Sequence, residues 1–223
     1  MLEIVPFQSR SILVKNVDKP HSYTEIIQSR FDYIEDVIAS FSEILIVFQN
    51  QFSDFMEIEK ELRNLFLTTV QDSQYPLLQI PVCFNSTFGI DHNRMEEYTG
   101  FSMETIISEI CESTFDVAFL GFLPGFAYMS GFPEKFKIPR LASPRNRVDK
   151  GSFAIAENQV GIYPNASPGG WNIIGNCPLS IFDVKSDELT LFKAGDQVKF
   201  HEISLDEHQQ LMGQSLSREK FLR

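Results

Sequence analysis

Glycine and proline are concentrated in one part of this chain, and that concentration constrains the fold more than any other feature. Residues 121–178 contain eight of the twelve glycines and seven of the eleven prolines. Proline removes a backbone donor and glycine weakens a helix interior by about 1 kcal/mol, so long helices are not expected there. The apolar pieces between them, SFAIAE, QVGIYP, WNIIG and LSIFDV, followed by DQVKFHEI, predict a small closed or rolled β structure.

The stretch GFLPGFAYMSGFP, residues 121–133, places four aromatic side chains among three glycines and two prolines. This composition is unsuited to a helix and is also poor for a central strand. We therefore predict an aromatic-lined loop, which includes Phe126 and is shaped around a ligand or a partner surface.

The first third of the chain has a different pattern, in which helical and strand periods alternate. Apolar residues recur at steps of four and three over 22–41, where Ser22 and Glu25 suggest a capping box, and this spacing predicts a helix. A second helix is predicted over 53–70, and strands are predicted in LEIVPF, EILIVF and YPLLQIPVCF. The resulting β-α-β-α-β order predicts a small mixed sheet with crossover helices.

The later part of the chain contains two further predicted helical segments. Residues 91–112 form a helical connector, and Asp91 at its start is either a general base or, as is more common for an aspartate in this position, an N-cap. The last segment opens with Ser204 and Glu207 as a possible capping box. The expected domains are an α/β unit over 1–85, a β-barrel unit over 86–203 that includes the connector, and a C-terminal helix over 204–223.

Charge and cysteine content narrow the function classes. The net charge of −11 argues against a nucleic-acid partner, because that affinity comes from neutralising phosphates. The three cysteines and four histidines have no disulfide or metal-ligand pattern, so no metal site is predicted. The N-terminus lacks the basic region of a signal peptide, and no apolar run approaches the ~20 residues of a membrane span, so we expect a cytoplasmic protein with no membrane partner.

Within this acidic chain, residues 121–178 are locally basic, with six lysines and arginines against three acids. Arg140 and Arg145 each follow a proline, which restricts the backbone that carries them. Guanidinium groups presented in this way suit a carboxylate or phosphoryl ligand. The alternative from charge alone is a solvated basic loop.

The segment IYPNASPGGWNIIG, residues 162–175, contains a second set of candidate ligand groups. Successive amides of Gly169 and Gly170 would form an anion nest, to which Ser167 adds a hydroxyl. Trp171, the only tryptophan, either stacks on a planar ligand or packs into the core. The chain contains neither a P-loop nor a Rossmann glycine motif, so a conventional nucleotide-binding fold is not predicted.

The sequences FLGFLPGFAYMSGFP and PRLASPRNRVDKGSFAIAENQVGIYPNASPGGWNIIGNCPL resemble the signature of the family formed by the B subunits of 5-oxoprolinase. This family is also known as allophanate hydrolase subunit 1, the Kip inhibitor of a histidine kinase, and carboxyltransferase subdomains C and D. The resemblance is dense over 115–182 and collinear elsewhere. It implies an α+β fold, with an N-terminal ferredoxin-like α/β domain followed by a cyclophilin-like β-barrel.

The resemblance also implies a function. In this family, the B subunit acts with the A and C subunits of 5-oxoprolinase to cleave 5-oxoproline to glutamate at the expense of ATP. We therefore expect a non-autonomous enzyme subunit with a small-molecule substrate, in a complex that uses ATP as its cofactor. The alternatives are a Kip-type inhibitor whose partner is a sensor histidine kinase, and a carboxyltransferase subunit of the allophanate hydrolase or urea carboxylase kind.

Physical reasoning assigns roles to the candidate residues of such a site. Cationic groups and backbone amides would stabilise charge that develops on oxygen atoms, and aromatic rings would exclude water. The expected catalytic residues are Arg140, Arg145 and Asp91. The expected substrate-binding residues are Phe126, Gln159, Tyr163, Ser167, Gly169, Gly170 and Trp171.

Three positions depart from the family's usual pattern. Thr87 stands where the family has an acid, Cys111 where it has a histidine, and Asn176 where it has an arginine. If these side chains line the site, the protein has another substrate or a regulatory role.

Overall fold

The computed structural model of the protein describes residues 1–52, 54–67, 75–214 and 218–222. Contacts between residues divide the chain into two compact units, Met1–Gln74 and Tyr75–Arg223. Both contain helices and strands, so the fold is mixed α+β. None of the helices in the described part of the chain has the length and apolar character needed to cross a membrane.

The first unit is a four-stranded sheet with two helices. In chain order its elements are β1 (Glu3–Gln8), β2 (Ser11–Lys15), α1 (His21–Arg30), β3 (Ile34–Ser40), β4 (Glu43–Phe48) and α2 (Phe55–Leu67). The strands lie in the order β1-β2-β4-β3, and all neighbours are antiparallel. Its core includes Ile12, Ile27, Ile46 and Leu62. The observed order, β-β-α-β-β-α, replaces the predicted β-α-β-α-β order, and the ferredoxin-like assignment is not confirmed.

The predicted helix over 22–41 is wrong in its second half. Helix α1 ends at Arg30, Phe31 has an extended backbone, and β3 then pairs with β4 along its length. The helical spacing of the apolar residues is overridden by this pairing, which suits the β-branched side chains of the segment. The capping box at Ser22 is also wrong, since Pro20 occupies the N-cap position without a side-chain cap bond. The helix predicted over 53–70 corresponds to α2, although residues 53 and 68–70 lie outside the described residues.

The second unit contains a seven-stranded sheet. Its elements are β5 (Leu77–Val82), α3 (His92–Thr99), α4 (Met103–Glu112), β6 (Phe115–Leu120), β7 (Ala127–Ser130), β8 (Arg145–Val148), β9 (Ser152–Ala156), β10 (Gln159–Ile162), β11 (Ser167–Gly169), β12 (Asn172–Asn176), β13 (Gln197–Glu202) and α5 (Leu205–Leu211), with 3-10 turns at Glu134–Phe136 and Arg218–Phe221. The sheet order is β12-β9-β10-β7-β6-β13-β5, and β8 pairs separately with β11. Cys83, directly after β5, exchanges two 2.9 Å backbone hydrogen bonds with Asn176 in β12. The sheet therefore curls until its two edge strands meet.

The division between the units falls earlier than the predicted boundary at residue 85. Strand β5 pairs in parallel with β13, which places it in the second unit. Helix α5 also belongs to this unit, and its predicted capping box between Ser204 and Glu207 is present. The predicted helix over 204–223 continues only to Leu211, beyond which residues 215–217 and 223 lie outside the described part of the chain.

The prediction that residues 121–133 form only a loop is wrong for its centre. Strand β7 occupies 127–130 and lies in the middle of the seven-stranded sheet. Gly125, with a φ of 84°, ends the preceding turn, after which Ala127 and Met129 point into the main core. Alternating burial in this short segment makes strand pairing favourable despite the flanking glycines.

Candidate functional site

An aromatic cluster lies in the second unit and brings together three of the predicted site residues. Phe126 is at its centre, with ring centroids 5.3 Å from Tyr163 and 5.4 Å from Trp171. Tyr128 completes the cluster at 5.0 Å from Phe126 and is only half-buried. Trp171 is 8% exposed and packs edge-on against Phe126, so its ring is part of this small core rather than an open stacking platform.

Asp91 and Arg145 form a partly buried ion pair beside this cluster. Asp91 Oδ1 accepts a 2.5 Å hydrogen bond from Arg145 Nη2, and Oδ2 accepts a 2.6 Å bond from the Ile173 amide. Arg145 Nη1 also donates to the Trp171 carbonyl at 3.4 Å. Asp91 stands at the predicted N-cap position of α3, but its side chain makes no cap bond, because both oxygens are directed to Arg145 and Ile173. With both of its oxygens occupied, its carboxylate holds Arg145 in place.

Arg140 lies at the same aromatic cluster but differs from Arg145 in how its charge is compensated. A side chain at Gly170 would approach within 3.6 Å of Arg140 Nη2, and the amide that follows Arg140, on Leu141, donates to the Gly170 carbonyl at 2.7 Å. Arg140 is exposed and has no ion-pair partner among the residues that the structure describes. The structure therefore brings two guanidinium groups to one site, of which one is compensated and one is not.

Burial and the nearby Arg140 shift the pKa values of the Tyr128 and Tyr163 hydroxyls in opposite directions. Burial raises the pKa of Tyr163 above its ordinary value of 10.0, although a hydrogen bond with the Trp171 backbone and the charge of Arg140 oppose this shift. Burial also raises the pKa of Tyr128, and Arg140 again opposes the shift. Both phenols therefore stay protonated near neutral pH and remain able to donate hydrogen bonds.

The anion nest predicted at Gly169 and Gly170 is wrong. A nest requires backbone of alternating handedness, and neither glycine has a positive φ. Gly169 is required for another reason, since a Cβ at this position would lie 2.3 Å from the Tyr163 hydroxyl oxygen. Strand β11 pairs Gly169 with Arg145 of β8, so Gly169 lets this pair of strands approach Tyr163.

Two other predicted site residues, Ser167 and Gln159, are not part of the aromatic cluster or of the Asp91–Arg145 pair. Ser167 donates its hydroxyl to the carbonyl of its neighbour Pro168, at 3.1 Å. Gln159 begins β10, whereas Tyr163 follows the end of that strand, so the two residues lie at opposite ends of it.

Sequence reasoning missed Asn172, which is fully buried next to Trp171. Its Nδ2 donates to the carbonyls of Pro139 and Ile155 at 3.1 and 3.0 Å, and its Oδ1 accepts from Arg94 Nε at 2.8 Å. Asn172 thus anchors the backbone directly before Arg140. The available signal was an amide side chain directly before the apolar residues Ile173 and Ile174, because buried polar groups are rare and need partners.

The three departures from the family pattern lie apart from the ion pair. Thr87 is exposed and bonds to Asn85, while Cys111 is half-buried on α4, where burial raises the pKa of its thiol. Asn176 is buried and accepts a 2.8 Å hydrogen bond from His208. Among the described residues, none of the three hydrogen-bonds to the Asp91–Arg145 pair. No group of three or more His, Cys, Asp or Glu residues in the described ranges is placed to hold a metal ion.

The fold and the site together define a class of protein: a mixed α+β chain with a curled sheet, a buried aromatic cluster and two arginines beside that cluster. Residues 4–192 match the carboxyltransferase domain, subdomain C and D, and the chain belongs to this family. It is 35% identical to a Haemophilus influenzae protein named as the B subunit of 5-oxoprolinase, over 209 residues that cover 89% of this chain and 97% of that protein. The family expected from the sequence is therefore confirmed.

Two solved structures share the fold. PH0987 from Pyrococcus horikoshii has a TM-score of 0.58 and 31% identity, with 92% of this chain and 100% of that chain covered. TTHA0988 has a TM-score of 0.71 and 23% identity, covering 87% of this chain. The present chain spans only 40% of the TTHA0988 chain, and at that identity the likeness concerns the fold alone.

Proposed function

We propose that this protein is the B subunit of an ATP-dependent 5-oxoprolinase, which opens the lactam of 5-oxoproline to give glutamate. The observation that carries the proposal is the match to a protein of that name along nearly all of both chains. Residues 4–192, which match the family model, contain the Asp91–Arg145 pair and the aromatic cluster.

The chemistry explains why cations and aromatic rings are needed. An unactivated lactam is hydrolysed slowly, and transfer of a phosphoryl group from ATP to the amide oxygen makes the carbonyl carbon more electrophilic. Water then adds to this carbon, the ring C–N bond breaks as the nitrogen takes up a proton, and a second water hydrolyses the resulting acyl phosphate to glutamate and phosphate. Negative charge then develops on oxygen atoms, which Arg145, held in a fixed orientation by Asp91, is suited to stabilise. The buried rings of Phe126 and Trp171 keep water out of this region, which strengthens the interaction with Arg145.

Partner subunits account for the chemistry that this chain lacks. Its sequence contains no P-loop or Rossmann motif, so we propose that ATP is bound with the help of the A and C subunits. Phe122 marks a surface for such a partner, since it is 61% exposed and packs edge-on against Phe126 at 5.7 Å. Its φ of 68° is strained for a bulky residue, and such strain is concentrated at functional positions.

The proposal extends to the fold of the second unit and to the location of the protein in the cell. A cyclophilin-like barrel for the second unit is supported by the meeting of the two sheet edges at Cys83 and Asn176. We also propose a cytoplasmic location, which rests on the sequence alone, whereas the β-β-α-β-β-α order of the first unit does not support a ferredoxin-like fold.

Reconstitution tests the proposed function. The chain is purified alone, and together with candidate A and C subunits, and ATP hydrolysis is measured with and without 5-oxoproline. We expect 5-oxoproline-dependent hydrolysis and glutamate formation only in the assembled complex. Turnover by this chain alone, or a complex that forms but does not respond to 5-oxoproline, would contradict the proposal.

The description of the family favours carboxyl transfer as a second candidate function. This reaction needs a biotin-carrying partner, because this chain has no Met-Lys-Met acceptor sequence. Transfer of a carboxyl group from a biotinylated carrier protein, measured with the same preparation, distinguishes it from lactam opening. The histidine-kinase alternative predicts instead that the purified chain inhibits kinase autophosphorylation without any small-molecule substrate.

A further inference from the structure

Arg140 and Arg145 differ in how much of their charge is available to a ligand. Arg145 is compensated by the Asp91 carboxylate, and its Nη1 is directed to the Trp171 carbonyl. The side chain of Arg145 is only 27% exposed. It is therefore a fixed part of the site, with one negative charge already balancing its own.

Arg140 has its whole charge available. It is exposed, and no carboxylate among the described residues pairs with it. Its Nη2 would lie 3.6 Å from a Cβ at Gly170, and the ring of Trp171, the next residue, is 5.6 Å from the ring of the half-buried Tyr128. The charge of Arg140 also opposes the burial that raises the pKa of Tyr128. Among the described residues, the site thus has one uncompensated positive charge, near the half-buried hydroxyl of Tyr128, whereas the Tyr163 hydroxyl is buried.

The arginines suggested either a carboxylate or a phosphoryl ligand, and this charge balance favours the carboxylate. A carboxylate has one negative charge and two acceptor oxygens, which match one guanidinium fork. A nucleoside triphosphate carries several negative charges, and the sites that bind it supply a lysine and a nest of amides as well. The missing nest at Gly169 and Gly170 removes the second part of such a site.

We infer that Arg140 binds the single carboxylate of a small cyclic substrate, with Tyr128 as a neighbouring donor, and that the triphosphate of ATP is bound elsewhere in the complex. This inference rests on the proposed function for the identity of the substrate. The lactam ring of 5-oxoproline carries one carboxylate, which distinguishes it from the otherwise equivalent ring of 2-pyrrolidinone. Asn172 supports the geometry, because it holds the Pro139 carbonyl directly before Arg140.

The full chain offers a direct assay, since Trp171 is its only tryptophan and lies in the same aromatic cluster. Its fluorescence is followed during titration with 5-oxoproline, 2-pyrrolidinone and ATP. We expect a saturable change with 5-oxoproline alone. Arg140→Gln should weaken this binding by about 10- to 100-fold, the effect of losing a charged hydrogen-bonding partner. Arg147→Gln is the matched control, because Arg147 lies on the same basic segment, is 75% exposed and pairs with Asp149.

The assembled complex provides the second readout. Arg140→Gln should raise the KM for 5-oxoproline by about 10- to 100-fold and leave the KM for ATP unchanged. The inference is overturned if 2-pyrrolidinone binds as tightly as 5-oxoproline, if the full chain gives no saturable change, or if the variant raises the KM for ATP instead. A chain that binds 5-oxoproline through Arg140, but whose complex with the A and C subunits has no 5-oxoprolinase activity, refutes the proposed function and leaves the carboxylate site intact.

Discussion

Replacing Asp91 with alanine should destabilise the second unit by about 2 to 5 kcal/mol. Asp91 is 5% exposed, and its two oxygens hold Arg145 and the Ile173 amide at 2.5 and 2.6 Å. Removing one partner of a buried ion pair costs about 3–5 kcal/mol, and leaving a buried amide unpaired costs about 1–3 kcal/mol. Because the Arg145 side chain is 27% exposed, water recovers part of the loss, which keeps the total below the simple sum.

Urea denaturation followed by Trp171 fluorescence measures this change, and a thermal scan should show Tm lower by about 5 to 15 °C. Asp91→Asn should lose less, about 1 to 2 kcal/mol, because its amide oxygen still accepts from Ile173. Asp149→Asn is the control, since Asp149 pairs with Arg147 where both side chains are 75% exposed. Such surface pairs contribute about 0–1 kcal/mol.

A loss for Asp91→Ala no greater than that of the control would refute the reasoning. A double-mutant cycle makes the test more specific. Arg145→Met is combined with Asp91→Ala, and the coupling free energy should exceed about 1 kcal/mol if the aspartate acts through the arginine. Additive losses would mean that Asp91 stabilises only the Ile173 backbone.

Four further perturbations test other parts of the structure. Arg145→Lys should keep the pairing with Asp91 and the Tm but lower turnover of the complex by about 10- to 100-fold, since a lysine lacks the planar fork of donor nitrogens; a lower Tm with full activity would assign Arg145 a purely structural role. Gly169→Ala should lower the free energy of unfolding by about 1–3 kcal/mol, because its methyl group would lie 2.3 Å from the Tyr163 hydroxyl; an unchanged urea midpoint contradicts this. Phe122→Gly should change stability by less than about 1 kcal/mol, since relieved backbone strain offsets the lost ring contact, yet weaken co-purification with partner subunits. Burial lowers the pKa of His208 below 6.5, so the unfolded state binds the proton more readily; stability should therefore fall as pH drops below 6.5, and His208→Gln should flatten that loss in urea midpoints measured across pH.

Several elements could be predicted because their signals are local. Helix α4 has an N-cap serine, Ser102, whose side chain accepts from the Thr105 amide, and the apolar residues that follow have helical spacing. Strands β9, β10 and β12 correspond to short apolar pieces bounded by turn residues. In each case the residues that determine the structure are neighbours in the chain, so propensity and tertiary packing agree.

The failures occurred where pairing with another strand overrides the pattern within a segment. The spacing over 22–41 suits a helix, but β4 offers β3 a full set of backbone partners, and strand pairing prevails. Strand β7 forms between Gly125 and Gly131 because β6 and β10 lie on both sides of it. The apolar spacing of one segment does not show whether a neighbouring strand will pair with it, so neither outcome was inferred from that spacing.

The sequence by itself determined the chemistry that is available to this protein: two arginines fixed after prolines, an aromatic segment, a single tryptophan beside paired glycines, and membership of a family. Only the tertiary structure decided how that chemistry is arranged. Asp91 meets Arg145 across 54 residues and Ile173 across 82, and these contacts turn an apparent helix cap into the counter-ion of one arginine. Arg140, five positions earlier in the chain, was left uncompensated, because charge balance depends on which groups the fold brings together rather than on their order in the sequence.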